Sequence, residues 1–193
     1  MSELVLASAS PRRVELLKQI GVKFTVLPSN ICENVLADEN PTAYTRRLAL
    51  EKAEYCYKKQ YNKSVVLAAD TTVSIDGAIL GKPTSQQDAV ATLMRLSGRK
   101  HQVITAVAIM SNQSEDCVVV VSDVEFVPLT EAICHAYWQT GEPQDKAGSY
   151  AIQGLGATFV KHLSGSYSGV VGLPLFETSV LLQRHGIPIW QSQ

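Results

Sequence analysis

The chain has 193 residues, 46% of them apolar, enough for one large domain or two small lobes around a shared core, and this excludes a disordered chain. Its 17 basic residues stand against 18 acidic ones, a net charge of −1, which argues against a non-specific nucleic-acid binder. No apolar run approaches the ~20 residues of a membrane span, and no basic stretch precedes an apolar one at the N-terminus, so the expectation is a cytoplasmic protein with no membrane partner.

Leu4 to Ala7 is a short apolar run that suits a buried strand. It stops at Ser8-Ala9-Ser10-Pro11, where Ser10 reads as a helix N-cap and Pro11 as the first helical residue. The helix runs through Val14, Leu16, Leu17 and Ile20, and Gly21 ends it. A strand feeding a helix through small residues points free backbone N–H groups outward, a geometry that binds phosphate. Arg12 and Arg13 fall in the first turn, where the helix dipole disfavours cations. They are either two solvated arginines or half of an anion site.

Lys23 to Pro28 reads as a second strand, with Phe24 and Val26 alternating against polar neighbours, and 29–34 as a polar loop carrying Glu33. Asn40-Pro41 opens a helix that extends through Tyr57 or beyond. Thr45, Leu48, Ala49, Lys52, Ala53 and Cys56 share one face of it at helical spacing. Lys52 therefore sits inside an apolar stripe, and it must either snorkel out or meet an anion.

Ser64 to Ala69 is a strand apolar on both faces, as the centre of a sheet requires, and it runs into Asp70. A carboxylate at the end of a buried strand is costly unless paired, hydrogen-bonded or metal-bound. Residues 71–75 stay extended, Asp76-Gly77 makes a hairpin turn, and Gly81-Lys82-Pro83 brings Lys82 back near the level of Asp70. Asp70 is then a turn-stabilising carboxylate or part of a site facing Lys82.

Thr84 caps the next helix, with Gln87 completing a capping box, and Ala89, Val90, Leu93 and Leu96 form its buried face before Gly98. Strands follow over Gln102 to Met110 and Cys117 to Val127, turned by Asn112-Gln113-Ser114. Thr130 caps a helix to Thr140 that points Ile133 and Tyr137 inward. Between Asp145 and Gly156, three glycines in nine residues (Gly148, Gly154, Gly156) demand special backbone angles or the close approach of a ligand. Gln153 lies among them, either as an ordinary polar loop residue or as an amide able to read a base edge. Thr158 to Leu163 reads as a strand and Ser164 to Gly169 as a loop. Pro174 starts a last helix through Phe176, Val180 and Leu181, and in the tail over 187–193 Trp190 packs back on the body.

Four cations (Arg12, Arg13, Lys52, Lys82) and two acids (Glu33, Asp70) thus fall at strand ends, in loops or on an inward helix face. Cations to hold phosphates and carboxylates to hold a divalent metal or activate water are the minimum set for hydrolysing a phosphate ester or anhydride. Cys32, Cys56, Cys117 and Cys134, like the four histidines, match no zinc or haem spacing. There is no nucleophile elbow, Walker loop or zinc-protease helix. Neither the base nor the bond cleaved follows from these residues alone.

The chain resembles the Maf family of nucleoside triphosphate pyrophosphatases along nearly its whole length. The matching stretches are Ser8-Ala9-Ser10-Pro11-Arg12-Arg13, Arg47-Leu48-Ala49 with Lys52-Ala53, Ala69-Asp70-Thr71, Gly81-Lys82-Pro83, Asp145-Lys146-Ala147-Gly148 with Ile152-Gln153-Gly154, and Val171-Gly172-Leu173-Pro174. The resemblance implies one α/β domain over residues 1–193, with an elongated, twisted mixed sheet flanked by helices and a cleft between two lobes. It implies hydrolysis of a nucleoside triphosphate to the monophosphate and pyrophosphate with a divalent metal, Mg2+ or Mn2+, and it allows a homodimer. Carried over, it makes Asp70, Glu33, Lys52 and Lys82 catalytic, with Glu33 and Asp70 on the metal. Ser8, Arg12, Arg13, Thr71 and Gln153 then bind substrate.

Arg12, Thr71 and Gln153 point to the branch acting on dTTP and UTP. The branch acting on 7-methyl-GTP tends to carry a bulky residue, Gln and Glu at those places. A glutamine amide both donates and accepts, which matches the carbonyl and N3–H of uracil or thymine. The rivals are a 7-methyl-GTP or broad house-cleaning pyrophosphatase, and a non-enzymatic nucleotide-binding regulator of cell division, as the family's link with septum inhibition suggests.

Overall fold

The structure, a computed structural model, describes residues 3–60 and 64–191. In chain order it contains β1 (Leu4–Leu6), α1 (Pro11–Gln19), β2 (Thr25–Val26), α2 (Pro41–Lys59), β3 (Val65–Ile75), β4 (Ala78–Leu80), α3 (Gln86–Leu96) and β5 (Lys100–Met110). Then follow β6 (Glu115–Phe126), α4 (Glu131–Gln139), β7 (Val160–Ser164), α5 (Tyr167–Val171) and α6 (Leu175–Arg184). The fold is α/β: a seven-stranded mixed sheet in the order β2-β1-β3-β5-β6-β7, with β4 also against β3. β1 is parallel to β2 and β3, and every other pairing is antiparallel.

The two faces of the sheet are built differently. On one face Val66, Ala68, Ala106 and Ala108 are small, and so are Ala49, Ala53 and Cys56 of α2 opposite them. Small side chains let the long α2 lie close to the strands. The other face carries the larger core, which includes Leu6 and Leu67 of the strands, Leu17 of α1, Leu93 and Leu96 of α3, and Leu181 and Leu182 of α6. Strand alternation then sorts β3, sending Ala68, Asp70 and Thr72 toward α2 and Ala69, Thr71 and Val73 toward α1.

Several expectations shift in detail. Asp70 does not end a strand. β3 continues through it for 11 residues, with Asp70 opposite Ala106, because ladder pairing depends on the backbone and not on the polarity of a side chain. The second strand shrinks to two exposed edge residues. The cap of α3 is Ser85, not Thr84: Ser85 Oγ accepts from Asp88 N at 3.1 Å, and Asp88 reaches back to Thr84 N at 2.9 Å. Ser10 stands at the cap of α1 without a side-chain cap bond. The loop expected over 164–169 is in part helical: residues 167–171 form the short α5, capped by Ser166. Ile133 and Trp190 are exposed, whereas Tyr137 is buried. The tail is held through its backbone, with Trp190 N donating to Ile20 O and Gln191 N to Gly21 O, both at 2.8 Å. Its last two residues lie outside the described residues.

Candidate active site

One edge of β3 is lined by β5 along most of its length. The other edge pairs with β1 only over Leu4–Leu6 against 65–67, and with β4 only over 73–75. Residues 68–72 lie between the end of one partner and the start of the other. A cleft of about 550 Å³ opens at that gap, and Ser8, Arg13, Glu33, Lys52, Asp70 and Gln153 all line it. Ligands of open α/β sheets sit at such switch points, where neighbouring connections diverge.

On the α2 side, Lys52 meets an anion and does not snorkel out. Its Nζ lies 2.6 Å from Asp70 Oδ1 and 2.7 Å from Glu33 Oε1. The stripe that contains Lys52 is buried throughout. Thr72 Oγ1 approaches Asp70 Oδ2 at 3.5 Å. Glu33 comes from the loop before α2, which Arg47 clamps by donating to both carboxylate oxygens of Glu39, at 2.6 and 2.7 Å, and to Asn34 O at 3.0 Å. That clamp pulls the Glu39 carboxyl below its ordinary pKa. Tyr44 Oη donates to Glu33 O at 2.9 Å, and burial with the negative charges of Asp70 and Glu33 raises its phenol pKa.

On the α1 side, Arg13 is fastened by three partners. Nε donates to Gly172 O at 2.8 Å, Nη2 to Thr71 Oγ1 at 3.1 Å and Nη1 to Ser8 Oγ at 3.4 Å. Thr105 Oγ1 gives its one hydrogen to Gly169 O, so in the 3.0 Å pair with Thr71 it is Thr71 that donates. The Thr71 hydroxyl is thereby spent on Arg13 and Thr105. Burial lowers the Arg13 pKa and the Asp70 charge opposes this, and the guanidinium stays charged in either case. Ser8 Oγ also accepts from Ser10 N at 3.2 Å.

The remaining residues expected at the site line the same cleft. Arg12, Lys82 and Gln153 face it with no ion pair or side-chain hydrogen bond to the described residues. Lys82 and Gln153 are exposed. Asp145 and Lys146, bonded to each other, complete the far wall. Burial raises the Asp145 carboxyl, but its bond to Lys146 and the nearby charge of Arg12 outweigh that and hold it low.

All nine expected site residues therefore gather in one cleft. Two groups escaped the sequence reading as site residues: Tyr44, one polar side chain in a helix, and the Asp145–Lys146 pair, quoted only within a motif. Among the described residues, no three His, Cys, Asp or Glu side chains stand together to hold a metal by themselves. Two carboxylates converging on one cationic point suit Mg2+ or Mn2+, which take one or two carboxylates and complete their shell with phosphate oxygens and water.

A family model described as Maf-like protein matches residues 3–185. A protein named dTTP/UTP pyrophosphatase from Pseudoalteromonas atlantica is 53% identical over 184 residues, covering 94% of this chain and 96% of its own. A second of that name, from Methylobacillus flagellatus, is 49% identical over 190 residues, covering 98% of this chain and 96% of its own. Among solved structures, a nucleoside-triphosphatase (dITP/XTP pyrophosphatase) from Mycobacterium abscessus aligns with TM-score 0.43 and 16% identity, over 64% of this chain and 74% of that one. With the family model spanning nearly the whole length and two relatives near half identity, the chain belongs to the Maf-like protein family.

Proposed function

We propose that this protein hydrolyses nucleoside triphosphates, preferring dTTP and UTP, to the monophosphate and pyrophosphate. The observation that carries the reading is the convergence of Asp70 and Glu33 on Lys52, in a cleft whose other walls hold Arg12, Arg13 and Lys82. The names of the two relatives support it.

Arg12, Arg13 and Lys82 take the triphosphate, and their charge stabilises the pyrophosphate as it leaves. Ser8 and Thr71 act by fixing Arg13. A water molecule attacks the α-phosphorus, a P–O bond forms, and the bond to the bridging oxygen breaks. Asp70 orients that water and takes up its proton through Oδ2, the oxygen not held by Lys52. Lys52 keeps Asp70 and Glu33 at one point and offsets their mutual repulsion. Glu33 and Asp70 are the residues that would hold a divalent cation, which when bound neutralises charge developing on the phosphates. Gln153 presents its amide to the N3–H and carbonyl edge of the pyrimidine.

The test is pyrophosphate release with Mg2+ or Mn2+ from dTTP, UTP, CTP, ATP, GTP and 7-methyl-GTP. The expected result is a preference of at least ~10-fold for dTTP and UTP, about the discrimination of one directed hydrogen-bond contact. Preference for 7-methyl-GTP would overturn the base assignment, and no pyrophosphate from any substrate would overturn the enzymatic reading.

A further inference from the structure

Gln153 sits on a segment pinned at both ends by one pair of side chains. At its start, Ala151 N donates to Tyr137 Oη at 3.1 Å. At its end, Leu155 N donates to Glu142 Oε2 at 2.8 Å and Gly156 N to Glu142 Oε1 at 2.9 Å. Tyr137 Oη donates to Glu142 Oε1 at 2.5 Å and closes the loop of contacts. The two glycines make room for this arrangement. A Cβ on Gly154 would run into the Glu142 carboxylate, and one on Gly156 would lie 2.6 Å from Tyr137 Oη and 2.7 Å from Ala151 O. The pair is itself held firmly: the Tyr137 ring meets Phe159 edge-on, with centroids 4.9 Å apart, and is buried.

Glu142 is the only charged member of this group. Burial raises its carboxyl, but the Tyr137 hydroxyl and the two backbone amides outweigh burial, so it remains an ionised acceptor at neutral pH. A carboxylate accepting three hydrogen bonds in a half-buried site fixes its donors more tightly than neutral partners would. The side chain of Gln153 has no side-chain hydrogen bond to the described residues and faces the cleft. Its backbone is therefore set from both sides while its amide is left to a ligand.

We infer that Tyr137 and Glu142 are positioning residues for base recognition: their hydrogen-bonded pair fixes the loop over 151–156 so that Gln153 meets the pyrimidine edge without ordering cost. This rests on the reading that Gln153 contacts the base. Without the pair, the loop must be ordered on each binding event, which weakens KM for the natural base and leaves chemistry at the phosphates intact. The pair thus serves selectivity, and Asp70 and Lys52 serve the rate.

The experiment compares UTP with N3-methyl-UTP, in which a methyl group blocks the edge Gln153 would read. Steady-state kinetics are measured for the unaltered protein, Tyr137→Phe, Glu142→Gln, Gln153→Ala and the double variant Glu142→Gln/Gln153→Ala. Tyr137→Phe keeps the ring against Phe159, so it tests the hydroxyl if Glu142→Gln folds poorly. The unaltered protein should favour UTP by at least ~10-fold in kcat/KM. Gln153→Ala should bring that ratio to within about threefold of unity. Tyr137→Phe and Glu142→Gln should do the same, chiefly by raising KM for UTP, with kcat within about threefold. The double variant should be no less selective than Gln153→Ala alone, because both changes remove one interaction. If Gln153→Ala collapses the ratio but Tyr137→Phe and Glu142→Gln leave it intact, the positioning role is overturned and the base reading survives. If Tyr137→Phe and Glu142→Gln lower kcat equally on both substrates, the pair is general scaffolding and the inference is overturned. If Gln153→Ala also leaves the ratio unchanged, the base reading falls and takes the positioning role with it.

Discussion

Lys52 stands where a leucine would complete the apolar stripe of α2, and it meets two carboxylates there. A buried ion pair seldom stabilises more than well-packed apolar side chains of similar volume. Stability therefore does not explain the Lys52–Asp70 pair, whereas the proposed hydrolysis, which needs charge beside the phosphates, does. Replacing Asp70 by Asn keeps the shape and removes the charge. Asp70→Asn should lower kcat/KM for UTP by at least ~100-fold, the lower range for one acid–base or metal-positioning group. Circular dichroism should show the variant still folded. Turnover near that of the unaltered protein would remove Asp70 from the chemistry.

Ser85 and Thr84 show how local signals place an element to within one residue. Both are acceptable caps by type, and only the geometry chooses Ser85, with Asp88 reaching back to Thr84. Ser85→Ala should destabilise the protein by about 1 kcal/mol, read from the midpoint of a urea melt, and Thr84→Ala by less. An equal loss from both would mean that the cap is shared. The long α2 is legible in the sequence because an apolar stripe at helical spacing has one structural meaning, and β3 because a short run apolar on both faces suits the centre of a sheet. The five-residue α5 is not, since it is too short to show a period. Asp70 was read correctly as a buried acid and wrongly as a strand end. The inward reading of Ile133 and Trp190 rests on residue type alone, which does not reveal the face, and both are exposed. The six charged residues expected at the site do converge, but three contacts were beyond reach. Thr71 is tied to Arg13 across 58 positions, and Glu142 to Leu155 and Gly156 across an irregular loop. Contacts of this kind leave no local pattern.

For the molecule as a whole, one buried histidine couples stability to acid. His101 is buried beside Phe126, its Nε2 lies 2.7 Å from Tyr150 Oη, and burial pushes its pKa down to about 4. An unfolded chain titrates this residue near ~6.5. Its contribution is fully present above that value. It declines as the unfolded state takes up a proton that the native state refuses until about pH 4, and it levels off below. The slope reaches about 1.4 kcal/mol per pH unit. Thermal melts should therefore show a lower Tm at about pH 5 than at about pH 7, and His101→Gln should shrink that difference. An unchanged difference would place the acid sensitivity elsewhere. At the same scale, no described helix is long and apolar enough to cross a membrane, and the near-zero net charge leaves the cationic cleft as a local feature. On the proposed mechanism this cleft directs water to the α-phosphorus of a pyrimidine nucleoside triphosphate. Hydrolysis of UTP in heavy-oxygen water, with the products weighed by mass spectrometry, tests it most directly. Attack at the α-phosphorus leaves one heavy oxygen in the uridine monophosphate and none in the pyrophosphate. Heavy oxygen in the pyrophosphate, or release of single phosphates instead, would contradict it.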